Sequence, residues 1–189
     1  MNRQKGDMYD FVEYTSHPMK GPCEHDCIYC YMRRVNAFND SNEILHLDFN
    51  ELYANHGSEN SFMMGSNTDT HAASVPTELI KCMYDKCLMH EDNTYLFQSK
   101  NPRRFLEGEL MEHPLMQEKD RITFVTTIES NREHHVSKAP CIQERVKAMT
   151  RLRELGYRVA VTIEPIMQFD NDELVSMIRE IQPSQVNIG

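Results

Sequence analysis

Short runs of apolar and β-branched residues alternate along this chain with longer stretches whose apolar positions recur every three or four residues. This is the strand-then-helix rhythm of an α/β fold. Phe11-Val12-Glu13-Tyr14-Thr15, Ser61-Phe62-Met63-Met64, Tyr95-Leu96-Phe97, residues 122–128, residues 158–163 and Gln185-Val186-Asn187-Ile188 read as six strands. The fourth is β-branched and aromatic almost throughout, which suits a central strand.

Helical signals fall between these runs. A helix opens over residues 29–35, and residues 47–53 carry an Asp-x-x-Glu capping pattern with Gly57 as a stop. Pro76 suits the first turn of a helix ending near residue 90, with Leu79, Ile80, Met83 and Leu88 on its buried side. Pro102 starts another. Residues 140–155 present Ile142, Val146, Met149 and Leu152 on one face, with Gly156 at the C-terminal cap. Asp170-x-x-Glu173 caps a last helix with Leu174, Met177, Ile178 and Ile181 inward, and Pro183 ends it.

Six strands joined by helical crossovers predict one parallel sheet with right-handed connections. Periodicity does not measure curvature, so a doubly wound sheet stands beside a curved one. The chain reads as a single domain over residues 1–189 with a short tail at 1–10, and no helix follows the sixth strand, so a C-terminal segment is expected to be missing. Ligands of parallel α/β folds gather at the carboxyl ends of the strands. Those ends are Gly65-Ser66-Asn67-Thr68-Asp69, Ser99-Lys100-Asn101-Pro102, residues 126–131 and Glu164-Pro165-Ile166.

The 189 residues suffice for a sizeable core, and no apolar run reaches the length of a membrane span. The start, Met-Asn-Arg-Gln-Lys-Gly-Asp, is not a signal peptide, so a cytoplasmic location and reduced or metal-bound cysteines are expected for all six. A net charge of −9 disfavours a nucleic-acid partner, although Lys100, Arg103 and Arg104 form a candidate basic patch.

The densest chemistry lies in Gly21-Pro22-Cys23-Glu24-His25-Asp26-Cys27-Ile28-Tyr29-Cys30-Tyr31, a C-x3-C-x2-C loop with an aromatic residue before the last cysteine. Iron–sulfur cubanes are ordinarily held by four cysteines, so three thiolates leave one iron open to a small molecule. A zinc site using these cysteines with His25 or a distant ligand is the alternative, although structural zinc sites usually bring two C-x2-C pairs together. Cys82 and Cys87 sit about 140° apart on one helix, a poor geometry for a shared metal. Cys141 lies at a helix start. His25 and the pair His134-His135 read as exposed polar residues, while Asp69 and His71 lie within reach of a substrate.

The cysteine loop resembles the signature of the radical S-adenosylmethionine enzymes. In that family the open iron chelates the amino and carboxylate groups of S-adenosylmethionine, and the reduced cluster cleaves it to a 5′-deoxyadenosyl radical. The strand ends resemble the spore photoproduct lyase-like branch, including small phage and bacterial proteins, in Ser99-Lys100, in the threonine-rich fourth strand and in Ala139-Pro140 with Arg145. The resemblance implies a six-stranded partial (βα)6 barrel, a 4Fe–4S cluster on Cys23, Cys27 and Cys30, and an external flavodoxin- or ferredoxin-like electron donor. It also implies roles for the strand ends. Gly65 and Ser66 stand where the family has a glycine-glycine-glutamate segment that meets the methionine amino group; the match is partial, and a tight turn explains Gly65 equally well. Lys100 pairs with the S-adenosylmethionine carboxylate or is a solvated surface lysine, with Ser99 beside it as a further cofactor contact. Glu129 and Thr127 meet the ribose hydroxyls, Tyr29 packs near the adenine or in ordinary core, and Glu164 is a further contact or a strand-ending turn. The substrate is unassigned. A non-enzymatic metal-binding or redox-sensing module and nucleic-acid lesion repair are the other readings.

Overall fold

A computed structural model describes residues 1–4, 11–33, 44–132 and 137–189. In chain order, its strands are β1 (Asn2–Arg3), β2 (Tyr14–Ser16), β3 (Met19–Lys20), β4 (His46–Leu47), β5 (Ser61–Met64), β6 (Thr94–Gln98), β7 (Ile122–Thr127), β8 (Arg158–Ile163) and β9 (Gln185–Ile188). The helices are α1 (Phe49–Leu52), α2 (Thr77–Leu88), α3 (Gly108–Met111), α4 (Ile142–Glu154) and α5 (Asn171–Ile181). Seven strands form one sheet in the order β1-β2-β5-β6-β7-β8-β9, and β3 pairs with β4 beside it. Every neighbour pair from β2 to β9 is parallel, and β1 is an antiparallel edge.

That order settles the choice left by periodicity. Strands are added in one direction only, so the reversal that defines a doubly wound sheet is absent. With right-handed crossovers, the helices then collect on one face. The core agrees. Phe62, Met64, Tyr95, Phe97, Phe124, Val159 and Val161 pack with Ile80, Met83, Val146, Met149, Leu174 and Ile181 in one cluster. The alternate strand positions, Met63, Leu96, Val125 and Ala160, form a small apolar floor with Val12 on the opposite face.

The structure corrects the expected six-stranded barrel to a seven-stranded sheet, because the N-terminal tail contributes β1. Gln4 N–H reaches the Glu13 carbonyl at 2.8 Å, extending that pairing by backbone contact alone. The first parallel strand begins at Tyr14 rather than Phe11, although Glu13 N–H still donates to the Ser61 carbonyl at 3.1 Å. Of the helix expected over 29–35, only Tyr31–Arg33 forms, as one 3₁₀ turn; Tyr29 and Cys30 lie in the turn and loop before it, and residues 34 and 35 lie outside the described residues. The Pro102 helix is a 3₁₀ segment, Pro102–Leu106, followed by the single turn of α3. The Asp48 and Asp170 caps form as expected, each accepting two backbone N–H bonds. His134 and His135 lie outside the described residues. No helix among the described residues is long and apolar enough to cross a membrane.

Two histidines are built into the core. His71 sits 2.9 Å from Thr70 Oγ1 and 2.8 Å from the Tyr84 hydroxyl, and burial lowers its pKa to about 3. Burial does the same to His56, which stacks on Phe62. Unfolded histidine titrates near 6.5, so between these values the unfolded chain binds protons that the folded chain does not. Stability should therefore fall as pH drops through 6.5 toward 3. Urea melts at pH 7 and pH 5 should differ by about 2 kcal/mol for each ring held neutral. An unfolding free energy flat across that window would show that neither ring is buried as described.

Candidate functional site

The cysteine loop leaves β3 through Gly21, whose φ is +127°; a Cβ there would lie 2.7 Å from Leu45 Cα. Only glycine permits this close backbone crossing. Beyond it the chain turns on itself, with Cys30 N–H bonded to the Cys27 carbonyl and Arg33 N–H to the Cys30 carbonyl, each at 3.1 Å. Cys23, Cys27 and Cys30 are all free thiols, the second buried and the others half-buried. Burial, reinforced by the Asp69 carboxylate, pushes the Cys23 thiol up to about 11.

Glu24, His25, Tyr29 and Tyr31 tie the loop to the segments that follow the strands. Glu24 accepts the Ala73 and Ser74 N–H groups. His25 Nε2 lies 2.8 Å from Asp69 Oδ2, and the His25 carbonyl accepts Lys138 N–H at 2.6 Å. Tyr29 donates to Glu129 Oε1 at 2.8 Å, and Tyr31 donates to the Ser66 carbonyl at 3.1 Å. Asp26 pairs with Arg33 and Lys138.

Glu129 is the hub of the second constellation. Arg145 Nη1 donates to its Oε2 at 2.8 Å and to the Thr127 carbonyl at 3.0 Å, while Arg145 Nε caps the Pro140 carbonyl at 2.8 Å. Lys100 Nζ lies 3.4 Å from Glu129 Oε1, hydrogen-bonds the Tyr29 hydroxyl and sits 4.4 Å from the centre of its ring. Burial works to raise the Glu129 pKa, but the Lys100 and Arg145 charges and the Tyr29 hydrogen bond outweigh it and hold the carboxyl below its usual range. Burial, reinforced by the same carboxylate, raises the Tyr29 phenol pKa far above its ordinary value.

The remaining sequence candidates fall as follows. Thr127 joins this group through its carbonyl, and its hydroxyl accepts Gln98 Nε2 at 3.3 Å. Ser99 Oγ donates to Asp69 at 3.0 Å. Gly65 makes a turn at φ +77°, where a Cβ would meet Thr70 at 2.4 Å. Glu164 is exposed beside Gly189, apart from the other candidates' contacts. The basic patch dissolves: Lys100 is tied to Tyr29 and Glu129, Arg104 binds Glu107, Thr77 and the Val75 carbonyl, and only Arg103 of the three is exposed. Cys87 is buried in α2 and its thiol pKa raised by burial, which makes it packing. His25 is also corrected, from an exposed residue to one 2% exposed. Sequence reasoning missed the partners of Arg145, Glu24 and Tyr31, for which no local signal exists; Arg145 alone was marked, through the Ala139-Pro140 resemblance.

Among the described residues, no three His, Cys, Asp or Glu side chains converge as a single metal ion would need. A cubane asks for a different arrangement, because each thiolate binds its own iron. Three free thiols on one anchored loop, beside cation and carboxylate donors, fit such a cluster by their chemistry.

The Glu129–Arg145 contact makes a stability prediction. Both side chains are 4% exposed, so Arg145→Met leaves a buried carboxylate short of its closest cation. That variant should lose about 3–5 kcal/mol in urea unfolding. Adding Glu129→Gln should recover part of the loss, since the orphaned charge disappears. Strictly additive effects would show the pair to be uncoupled.

No protein-family model matches the chain, and no curated protein does. Solved structures do. A cysteine-to-serine variant of spore photoproduct lyase superposes with a TM-score of 0.69 at 15% identity, covering 100% of this chain and 59% of that one. A doubly substituted variant with bound AdoMet and dinucleoside spore photoproduct gives 0.70 at 14%, covering 95% and 56%. The complex with the dinucleoside spore photoproduct alone gives 0.70 at 15%, with the same coverage. The chain thus spans between 56% and 59% of the length of these chains. Identities this low speak for the fold alone: the chain resembles spore photoproduct lyase in its mixed α/β architecture around a mostly parallel sheet.

Proposed function

We propose that the chain is a radical S-adenosylmethionine enzyme in which Cys23, Cys27 and Cys30 hold a 4Fe–4S cluster with one open iron. The observation that carries this reading is the attachment of the loop bearing the three free thiols, through Tyr29, to Glu129 and Lys100 at the carboxyl ends of a parallel sheet. When bound, the cluster supplies one electron, taken from an external donor, that cleaves S-adenosylmethionine to methionine and a 5′-deoxyadenosyl radical able to remove hydrogen from a substrate. The protein's part is to bind, orient and shield.

Lys100 offers a compact cation to the methionine carboxylate, and Ser99 sets the backbone that carries it. Glu129 accepts hydrogen bonds from ribose hydroxyls through the oxygen now shared by Tyr29 and Lys100, while Arg145 keeps its other oxygen fixed. Thr127 stands beside it for the same ligand, and the Tyr29 ring borders the adenine. Gly65 and Ser66 supply backbone groups near the methionine end. Glu164 is the most peripheral of these contacts, at the rim.

The substrate is an organic molecule that gives up a hydrogen atom. Dinucleoside spore photoproduct bound to the lyase neighbours supports a second reading, repair of a nucleic-acid lesion. The net charge of −9 and the engaged Lys100 and Arg104 weigh against it, since nucleic-acid affinity draws on free cations.

Anaerobic reconstitution with iron and sulfide, followed by dithionite and S-adenosylmethionine, tests the proposal. Expected are stoichiometric cluster and 5′-deoxyadenosine; stoichiometric zinc with neither would favour the non-enzymatic module. Cys27→Ala should lose the cluster with its urea midpoint little changed, because the main core lies across the sheet. A variant that still carries four irons and forms 5′-deoxyadenosine would refute the ligand set. Lys100→Ala should leave iron content alone and weaken S-adenosylmethionine binding about tenfold or more, the worth of a hydrogen bond to a charged group. Unaltered affinity would remove Lys100 from the cofactor site.

A further inference from the structure

We infer that Asp69 is a positioning residue that sets the cysteine loop through His25 and the Lys100 backbone through the same carboxylate oxygen; for its bearing on a cluster, the inference rests on the reading above. Oδ2 accepts from His25 Nε2 at 2.8 Å, Ser99 Oγ at 3.0 Å and Lys100 N–H at 2.8 Å. Oδ1 accepts His71 N–H at 2.9 Å. One carboxylate thus joins the middle of the first cysteine pair, the turn after β5 and the end of β6. Burial alone would raise the Asp69 pKa, yet its hydrogen bonds, with His25 foremost, hold it below the usual carboxylate range.

The burial of His25 is what makes this contact decisive. Loops ordinarily lie on the surface, where water satisfies their polar groups. Here the ring is enclosed, its Nδ1 has no hydrogen-bond partner among the described residues, and Asp69 is its polar anchor. Cys23 and Cys27 lie two residues on either side of His25, so a shift of this ring carries both thiols with it. Ser99 relays the contact further: its hydroxyl oxygen accepts Asn101 N–H at 2.9 Å, fixing the turn that presents Lys100.

Metal-free chain provides the first readout. Asp69→Ala should speed amide exchange at Lys100 and His71 about tenfold or more. It should also hasten iodoacetamide modification of Cys27, while Cys87, buried in α2, stays protected and reports that the core is intact. Asp69→Asn serves as the milder variant. Its carbonyl can replace Oδ2 for the three donors, which turns its NH2 toward the His71 N–H. The Lys100 amide should then stay protected while the His71 amide exchanges faster. Unchanged exchange in both variants overturns the proposal, as does general loss of Cys87 protection in Asp69→Asn. After reconstitution, Asp69→Ala should release iron to a chelator at least several-fold faster than the parent; equal release overturns the link to the cluster. A parent that takes up no iron, while the metal-free readouts respond as expected, sinks the cluster reading and upholds the loop contact.

Discussion

Two ionised carboxylates buried at the ends of parallel strands constrain everything around them. A buried carboxylate is tolerated only when donors surround it, because desolvation costs more than one partner returns. Asp69 and Glu129 meet this demand by recruiting donors distant in the chain: His25 and Ser99 for the first, Tyr29, Lys100 and Arg145 for the second. The cysteine loop contributes one donor to each. Its placement over the sheet is therefore the answer to a solvation problem as much as a feature of the loop itself.

The sheet makes that answer available. Because strands are added in one direction, the helices cover one face, and the other is left to line a site. Its side chains change character from bottom to top. Met63, Leu96, Val125 and Ala160 form the dry floor; one step further along, Thr127, Thr162 and Asn187 lie in register across β7, β8 and β9. Lys100 and Glu129 follow just past the ends of their strands. Polarity thus increases toward the end where the thiols lie.

The strands were the most legible part of the sequence. β5, β8 and β9 match the patterned runs residue for residue; in β5 and β8 alternate positions face helices on one side and the floor on the other. β1 was invisible, because two residues joined by backbone pairing leave no side-chain pattern. The Pro102 segment misled because a proline start was read as a full helix, whereas Gly108 and Pro114 break the segment into short turns. As candidates, Cys23, Cys27 and Cys30 stood out by spacing and Lys100 and Glu129 by their place at strand ends, and the structure joins Lys100 and Glu129 to the cysteine loop through Tyr29. Asp69 as an acceptor for His25 was not legible, because the partners are 44 residues apart and nothing local marks either as buried.

Spacing alone does not make a metal site. The same three cysteines on an unanchored loop would carry the conformational entropy of every residue between them, roughly 1–2 kcal/mol each for the backbone, to be lost on binding. Here Glu24, His25, Tyr29 and Tyr31 each hold a contact outside the loop, so much of that ordering is already done when the chain folds. Binding energy that would otherwise be consumed in fixing the loop remains available for the ligand. On the proposed assignment, the arrangement also makes cluster and cofactor positions interdependent. Tyr29 hydrogen-bonds the carboxylate assigned to ribose from a position beside Cys30, and Asp69 holds the residue assigned to the methionine carboxylate while gripping His25. A displacement of the loop must therefore move the cofactor contacts with it, and a site built in this way is ordered as a unit or not at all.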